Sequence, residues 1–216
     1  MDLLGKPRVR DVTTFVIEST DLRYLATRGG KVVEYGSEPL PAGLVVEGLV
    51  TDAVALGKLL DRAARAHGLD RKRVIMGVSG WRSIPRLLAM PKLQASLMEQ
   101  TIAREAKREM PVSLENLYLS WQSMPGEAET QRIYVLGVPR ALIDAQVRAL
   151  QAAGIAPFAM DLKPLALVRA IRQPEAIIVS LEQDEIDIVL AMDYVPAIMR
   201  TFSLESEGLD LSGKLE

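Results

Sequence analysis

Two stretches of the chain share one pattern of apolar and polar positions. They cover residues 15–25 and 178–190, and each has an apolar run, a short polar turn that opens with glutamate, and a second run that alternates apolar and polar. Alternation at period two predicts a strand on either side of a tight turn. A third strand follows each pair, at Lys31–Tyr35 and at Ala197–Phe202. The repeat therefore predicts two related domains whose hairpin turns face a shared cleft.

Helical and strand-like patterns alternate between the two repeats. Further strands are predicted at Leu44–Val50, Val74–Val78, Ser83–Met90, Leu117–Ser123, Arg132–Val138 and Pro157–Met160. Helices are predicted after an N-cap at Thr51 or Asp52, and at Lys92–Met110, Arg140–Ala153 and Lys163–Ile171. This alternation is typical of the α/β class. Residues 92–153 form a helix–strand–strand–helix block that predicts a separate small subdomain, and the acidic tail over 203–216 is predicted to be mobile.

Composition narrows the classes of function. The 216 residues are 49% hydrophobic and 25% charged, which suits a soluble protein with a core. A net charge of −2 gives no broad electrostatic reason to expect nucleic acid as a partner. The chain has no cysteine and one histidine, His67, so the sequence offers neither a disulfide nor the ligands of a zinc site. With no signal-peptide pattern or long apolar run, we expect a cytoplasmic protein without a metal.

Several segments match one family pattern in order along the chain. The strongest is Gly154–Ala170, a turn and strand followed by a helix of the form Asp-x-x-x-x-Ala-Leu-x-Arg-Ala, beginning at Asp161. Arg86–Pro91, the helix end at Glu105–Pro111 and the strand Leu117–Gln122 also fit. In these features the chain resembles the type IV pilus assembly PilM family, relatives of the cell-division protein FtsA within the actin-like superfamily.

The resemblance implies an α/β, actin-like (ribonuclease-H-like) fold with an inserted small α+β subdomain. It implies a first actin-like domain at residues 9–91 and 154–175 and an inserted subdomain at 92–153. The first strands of a second domain would lie at 176–202. Because a full family member needs many more residues to complete that second half, the chain is expected to be truncated at its C-terminus.

The resemblance also locates the two turns that bind phosphate in the actin-like superfamily. Those turns have the form Asp-x-Gly, in which glycine lets backbone N–H groups face the phosphates and aspartate organises Mg²⁺. The first turn aligns with Val16, Glu18 and Ser19, with Arg23 at the position of the family's lysine. The second aligns with Ser180 and Glu182. Both aspartates are absent here, and glutamate replaces both glycines.

A magnitude favours a site that has lost nucleotide binding. A glutamate about 4 Å from a phosphate charge costs on the order of 4 kcal/mol at an effective dielectric near 20. That corresponds to roughly three decades of affinity. We therefore expect no ATP affinity below millimolar, no cofactor and no enzyme activity. Ser19, Thr20 and Arg23 could still hold a lone anion, and an interpretation of Glu18 and Glu182 as solvated turn residues is equally open.

The function that remains is binding. By resemblance, the family docks the cytoplasmic N-terminal tail of a PilN-like inner-membrane protein, in a groove between the first domain and the inserted subdomain. Candidates for lining that groove are Leu88, Met90, Leu97, Leu119 and Trp121. The protein would then be a scaffold at the cytoplasmic face of the inner membrane. Alternatives are an actin-like ATPase and a GspL-like cytoplasmic domain of a type II secretion system, and strands 176–202 could also pair with a second copy.

Overall fold

A computed structural model of the protein describes residues 10–125 and 129–204. The predicted tail, apart from Ser203 and Leu204, and most of the Pro-Gly-Glu loop at 125–127 lie outside the described residues. The strands are β1 Val12–Ile17, β2 Asp21–Arg28, β3 Lys31–Pro39, β4 Val45–Val46, β5 Leu49–Val50, β6 Val74–Val78, β7 Ile84–Pro91, β8 Leu117–Met124, β9 Thr130–Pro139, β10 Pro157–Leu162, β11 Glu175–Leu181, β12 Glu185–Met192 and β13 Val195–Ser203. The helices are α1 Ala53–Ala66, α2 Ala95–Glu109, α3 Arg140–Ala152 and α4 Lys163–Ile171, with a 3₁₀ turn at Leu114–Asn116.

The first half of the chain is built on a five-stranded sheet in the order β10-β6-β1-β2-β3. Strands β1, β2 and β3 form an antiparallel meander, whereas β6 and β10 run parallel to β1. Gly29 and Gly30 connect β2 to β3 with φ of 59° and 78°, a conformation that favours glycine. The carboxyl ends of β1, β6 and β10 therefore lie at one edge of the sheet.

Helices α1 and α3 cover one face of this sheet. Asp52 caps α1, because its carboxylate accepts hydrogen bonds from the N–H groups of Val54 and Ala55. Leu56 and Leu60 of α1 are fully buried against the sheet. At Gly57 the two helices touch, since a Cβ there would lie 2.8 Å from the carbonyl oxygen of Ala149. The predicted cap and apolar face of this helix are thus confirmed.

A second unit is the three-stranded antiparallel sheet β7-β9-β8, which carries α2 on one face. Its first strand, β7, lies before the predicted start of the subdomain at residue 92. Helix α3, which was predicted inside that subdomain, packs on α1 instead. The division of the chain into domains remains a prediction, but the sheet shows that residues 84–91 pair with residues of the inserted block.

Two local predictions need correction. Leu44–Val50 is a hairpin of two short strands, β4 and β5, because Glu47 and Gly48 both have positive φ and turn the chain between them. The helix predicted from Lys92 begins at Ala95. Across residues 10–125 and 129–204, none of the helices combines the length and the apolar character needed to cross a bilayer.

The third sheet, β11-β12-β13, repeats the architecture of β1-β2-β3. In each meander the N–H of the first turn residue bonds the carbonyl three residues on: Glu18 to Asp21, and Glu182 to Glu185. A second matching bond closes each third strand, Leu40 to Thr20 and Leu204 to Asp184. The predicted repeat is therefore confirmed in backbone detail. One face of this third sheet packs on α4 and on the sheet β7-β9-β8.

Candidate functional site

The cleft lies where three parallel strands end. Glu18 directly follows β1, Ser79 follows β6, and Lys163 follows β10 as the first residue of α4. The carboxyl ends of parallel strands meet at one edge of a sheet, which is where α/β folds bind ligands. The turn that opens with Glu182 reaches the same place from the third sheet, because Lys163 contacts both glutamates. The two turns predicted from the repeat therefore face each other across a shared cleft.

Lys163 is the central cation of this cleft. Its ammonium nitrogen Nζ lies 2.9 Å from Glu18 Oε1, 3.1 Å from Glu182 Oε1 and 3.0 Å from Asp187 Oδ2. A lysine at a helix N-terminus opposes the helix dipole, so the carboxylates rather than the helix account for its position. One ammonium group thus joins the first hairpin, the second hairpin and α4.

Arg23 forms the outer ion pair of the cleft. Its guanidinium contacts Glu182 Oε2 at 2.5 Å and Asp21 Oδ2 at 2.9 Å. Ser180 also donates a hydrogen bond to Glu182, at 3.3 Å. The hydrogen bond from Arg23 lowers the pKa of Glu182 below its usual value although burial opposes this, so Glu182 is ionised at neutral pH.

Hydrogen bonds satisfy two further buried carboxylates. Glu185 accepts from the hydroxyl of Ser19 and from the indole N–H of Trp81, the latter at 3.1 Å. Asp187 accepts from the hydroxyl of Thr201 at 2.6 Å, in addition to its contact with Lys163. The first hairpin therefore contacts the second through Ser19 as well as through the lysine.

Burial raises the pKa of Glu18 to about 7, although its contact with Lys163 partly opposes the shift. For Lys163, burial would lower the pKa, but the neighbouring Glu18 and Asp187 outweigh it and keep the pKa above its usual value. Lys163 is therefore charged at neutral pH, and Glu18 carries a proton in part of the population. Four carboxyl groups here surround two cations.

The degenerate phosphate turns predicted from the sequence come together in this cluster, but not as solvated residues. Glu18 is only 3% exposed and the Glu182 side chain 10%, so the interpretation as solvated turn residues is wrong. Ser19 and Arg23, expected to be free for an anion, both contact carboxylates. Val16 packs beside Gly77 of β6, where a Cβ would lie 2.8 Å from a Val16 methyl group.

A separate groove lies on the other side of α4. Its volume is about 600 Å³. It is lined by Gln122, Met124, Pro125, Arg132, Val168, Arg169, Arg172, Asp193 and Tyr194. These residues come from β8, β9, α4 and the turn between β12 and β13, so three parts of the fold meet here. Arg132 and Asp193 form an ion pair of 2.8 Å at its rim.

The five residues predicted to bind a peptide lie elsewhere, on the α2 side of the sheet β7-β9-β8. Leu88 and Met90 are buried there beneath α2, Leu119 and Trp121 are half-buried against the same cluster, and Leu97 is 49% exposed on α2. As a peptide site these residues remain a prediction, and the groove is lined by none of them. Trp121 and Trp81 were expected in the core, yet both are half-buried.

The sequence gave no warning of Lys163, and only a partial signal for the groove. Lys163 lies 145 positions from Glu18, and nothing local marks it beyond its place at the start of a predicted helix. For the groove, strand alternation was the available signal. Gln122 and Met124 must face away from Leu119 and Trp121, because side chains at odd and even positions of β8 lie on opposite faces.

Comparison with known proteins agrees with this architecture. The family model described as Type IV pilus assembly protein PilM matches residues 11–208. A chain of a solved "PilM-PilN type IV pilus biogenesis complex" aligns with TM-score 0.77 and 23% identity, over 92% of this chain and 62% of that one. The cytoplasmic domain of EpsL, an inner membrane component of the type II secretion system of Vibrio cholerae, aligns with TM-score 0.58 and 14% identity, over 89% and 71%. EutJ, an ethanolamine utilization protein from Carboxydothermus hydrogenoformans, gives 0.53 and 12%, over 94% and 54%.

The repeated meanders around a cleft define an α/β protein of the actin-like fold. The fold predicted from the sequence is therefore confirmed. Because the family match extends over most of the chain, the protein belongs to the type IV pilus assembly protein PilM family. The chain spans 62% of the length of the related chain in the PilM–PilN complex.

Proposed function

We propose that this protein is a non-catalytic docking scaffold of type IV pilus assembly, located at the cytoplasmic face of the inner membrane. It binds the cytoplasmic N-terminal tail of a PilN-like membrane protein and so reaches the membrane only through its partner. Membership of the PilM family supports the process, and the similar PilM–PilN complex supports the kind of partner. Neither nucleic acid nor a metal takes part.

The observation that carries the proposal is the groove between the sheet β7-β9-β8, α4 and the β12–β13 turn. About 600 Å³ is within the range of ligand-binding clefts. Met124, Val168 and Tyr194 give it apolar walls, and Arg169 and Arg172 offer hydrogen-bond donors. This combination suits an extended peptide that places apolar side chains in the groove and its carbonyl or carboxylate oxygens near the guanidinium groups.

The cleft supports the absence of nucleotide chemistry. Lys163 already occupies the space between the two hairpins, and its charge is matched by Glu18, Glu182 and Asp187. The N–H groups of Glu18 and Glu182 close their own turns instead of facing a ligand. A triphosphate would have to displace these ion pairs and then lie against carboxylates, which opposes binding.

A titration with a synthetic peptide tests the docking site. The probe is the N-terminal tail of the PilN-like protein encoded beside this chain, labelled with a fluorophore and titrated with the full-length chain. Tyr194→Ala removes half of an aromatic groove wall that is 50% exposed, and we expect the peptide affinity to fall about tenfold, which is typical of an aromatic contact in a groove. Trp121→Ala lies on the opposite face of the sheet and is the matched control.

Each result of this titration decides something. Loss of affinity in Tyr194→Ala alone supports the groove, whereas loss in Trp121→Ala alone moves the site to the α2 side. No binding of the tail by the wild-type chain would overturn the docking function. Calorimetry with Mg-ATP is the parallel test of the cleft, and micromolar binding there would overturn the non-catalytic proposal.

A further inference from the structure

The sheet β11-β12-β13 has one face that the described residues do not cover. Side chains on this face are apolar and exposed, with Ile177 at 74%, Leu181 at 70% and Val179 at 55% on β11 alone. The rest of the face comprises Ile186, Ile188 and Leu190 on β12 and Ile198, Arg200 and Phe202 on β13. An apolar patch of this extent on a soluble protein marks an interaction surface.

The internal repeat shows what kind of surface this is. When the two meanders are aligned on their matching turn bonds, Val179 corresponds to Phe15, Leu181 to Ile17 and Ile186 to Leu22. Those first-half residues are 0%, 1% and 0% exposed, because α1 and α3 cover them. The exposed face of the third sheet is thus the equivalent of a face that is core in the first half.

We infer that this face is covered by the same face of a second copy of the chain, as a two-sheet sandwich. The six side chains with the largest exposure on it offer on the order of 600 Å², close to the roughly 800 Å² that each partner buries in a standard interface. An antiparallel sheet with one apolar face packs well on another at about 10 Å. The face is also self-complementary, because apolar residues occupy both ends of all three strands.

The one charged side chain on the central rungs selects the orientation. Arg200 lies on β13 in the same rung as Ile188 and Val179. A twofold axis across the strands would bring Arg200 against Arg200 of the other copy, where the like charges repel. A twofold axis along β12 places Arg200 over Val179 of the other copy instead, and brings the two copies of Ile188 together at the axis.

Light scattering on the full chain tests the assembly. We expect the wild-type chain to have twice the mass of the monomer at micromolar concentration. Val179→Lys, at an exposed position, should give a monomer with unchanged circular dichroism. The control Val32→Lys makes the same change at a position on β3 that is 56% exposed and should stay a dimer. A monomeric wild type overturns the proposal, as does a Val179→Lys variant that remains a dimer.

A cysteine reporter tests the orientation, because the chain has no cysteine of its own. Ile188→Cys should form an oxidised or maleimide-linked dimer in high yield, and Val32→Cys should not. A wild-type dimer whose Ile188→Cys variant cannot be linked would show that the copies meet on another surface. The peptide titration is read separately, since the groove and this face share no residue.

Discussion

Replacing Lys163 by methionine is the sharpest perturbation that the cleft offers. Methionine keeps the apolar stem but removes the charge that faces Glu18, Glu182 and Asp187, and the lysine side chain is only 12% exposed. Removing one partner of a buried ion pair costs about 3–5 kcal/mol, because the other charge is left buried and unpaired. For a chain of this size, 1 kcal/mol shifts Tm by about 2–4 °C. We therefore expect Tm to fall by roughly 10 °C at pH 8.

The loss should depend on pH in a defined direction. Without Lys163, the pKa of each neighbouring carboxyl rises, so protonation at low pH relieves the unpaired charge. The difference in Tm between wild type and Lys163→Met should therefore be largest at pH 8 and smaller at pH 5. Adding Glu18→Gln to Lys163→Met should restore part of the stability, because it removes one of the unpaired charges.

Scanning calorimetry or thermal circular dichroism measures these shifts. The matched control is Lys58→Met, the same chemical change at an exposed lysine of α1, which should alter Tm very little. The reasoning is refuted if Lys163→Met melts at the wild-type temperature at pH 8. A fall of equal size at pH 5 and pH 8 would assign the effect to packing instead of charge.

Three smaller predictions concern stability. Glu18 has a pKa of about 7 in the folded chain against an ordinary 4.5, so the folded state holds the extra proton between those values and stability falls as pH rises through them. Glu18→Gln should flatten this slope in urea titrations at pH 5 and pH 8; an unchanged slope would contradict the assignment. Asp52→Ala should cost about 1 kcal/mol through the lost α1 cap, with Thr51→Ala as the comparison. Gly57→Ala should destabilise by about 1–3 kcal/mol despite a better helix propensity, because its Cβ would meet α3; a rise in Tm would exclude that contact.

Much of the fold could be predicted because its signals are local. The cap at Asp52, the stop at Gly68 and the apolar periodicities each lie within one element, so the order of strands and helices could be predicted from them. The repeat was visible because both meanders keep the same spacing between strand, turn and strand. Errors arose where a short turn interrupts an apolar run, as at Glu47 and Gly48.

The site could be predicted only in part, because its contacts join distant elements. The hairpin turns were identified through their glutamates, but the charge that holds them comes from the start of α4, far along the chain. Burial was also misjudged. A glutamate in a polar turn suggests a solvated side chain, whereas the edge where three parallel strands end encloses Glu18 on several sides. Such enclosure depends on topology and leaves no local pattern.

Helix α4 has one end in the cleft and the other in the groove. Lys163 begins the helix, and Val168 and Arg169 near its end line the groove, so about 13 Å of rigid helix separates the two. An occupant that displaced α4 would shift the ammonium group relative to its three carboxylates. By thermodynamic linkage, a change of protonation in the cleft would then alter the affinity of that occupant by the same factor. The remnant of an ancestral phosphate clamp would in this way act as a lever on the bound partner.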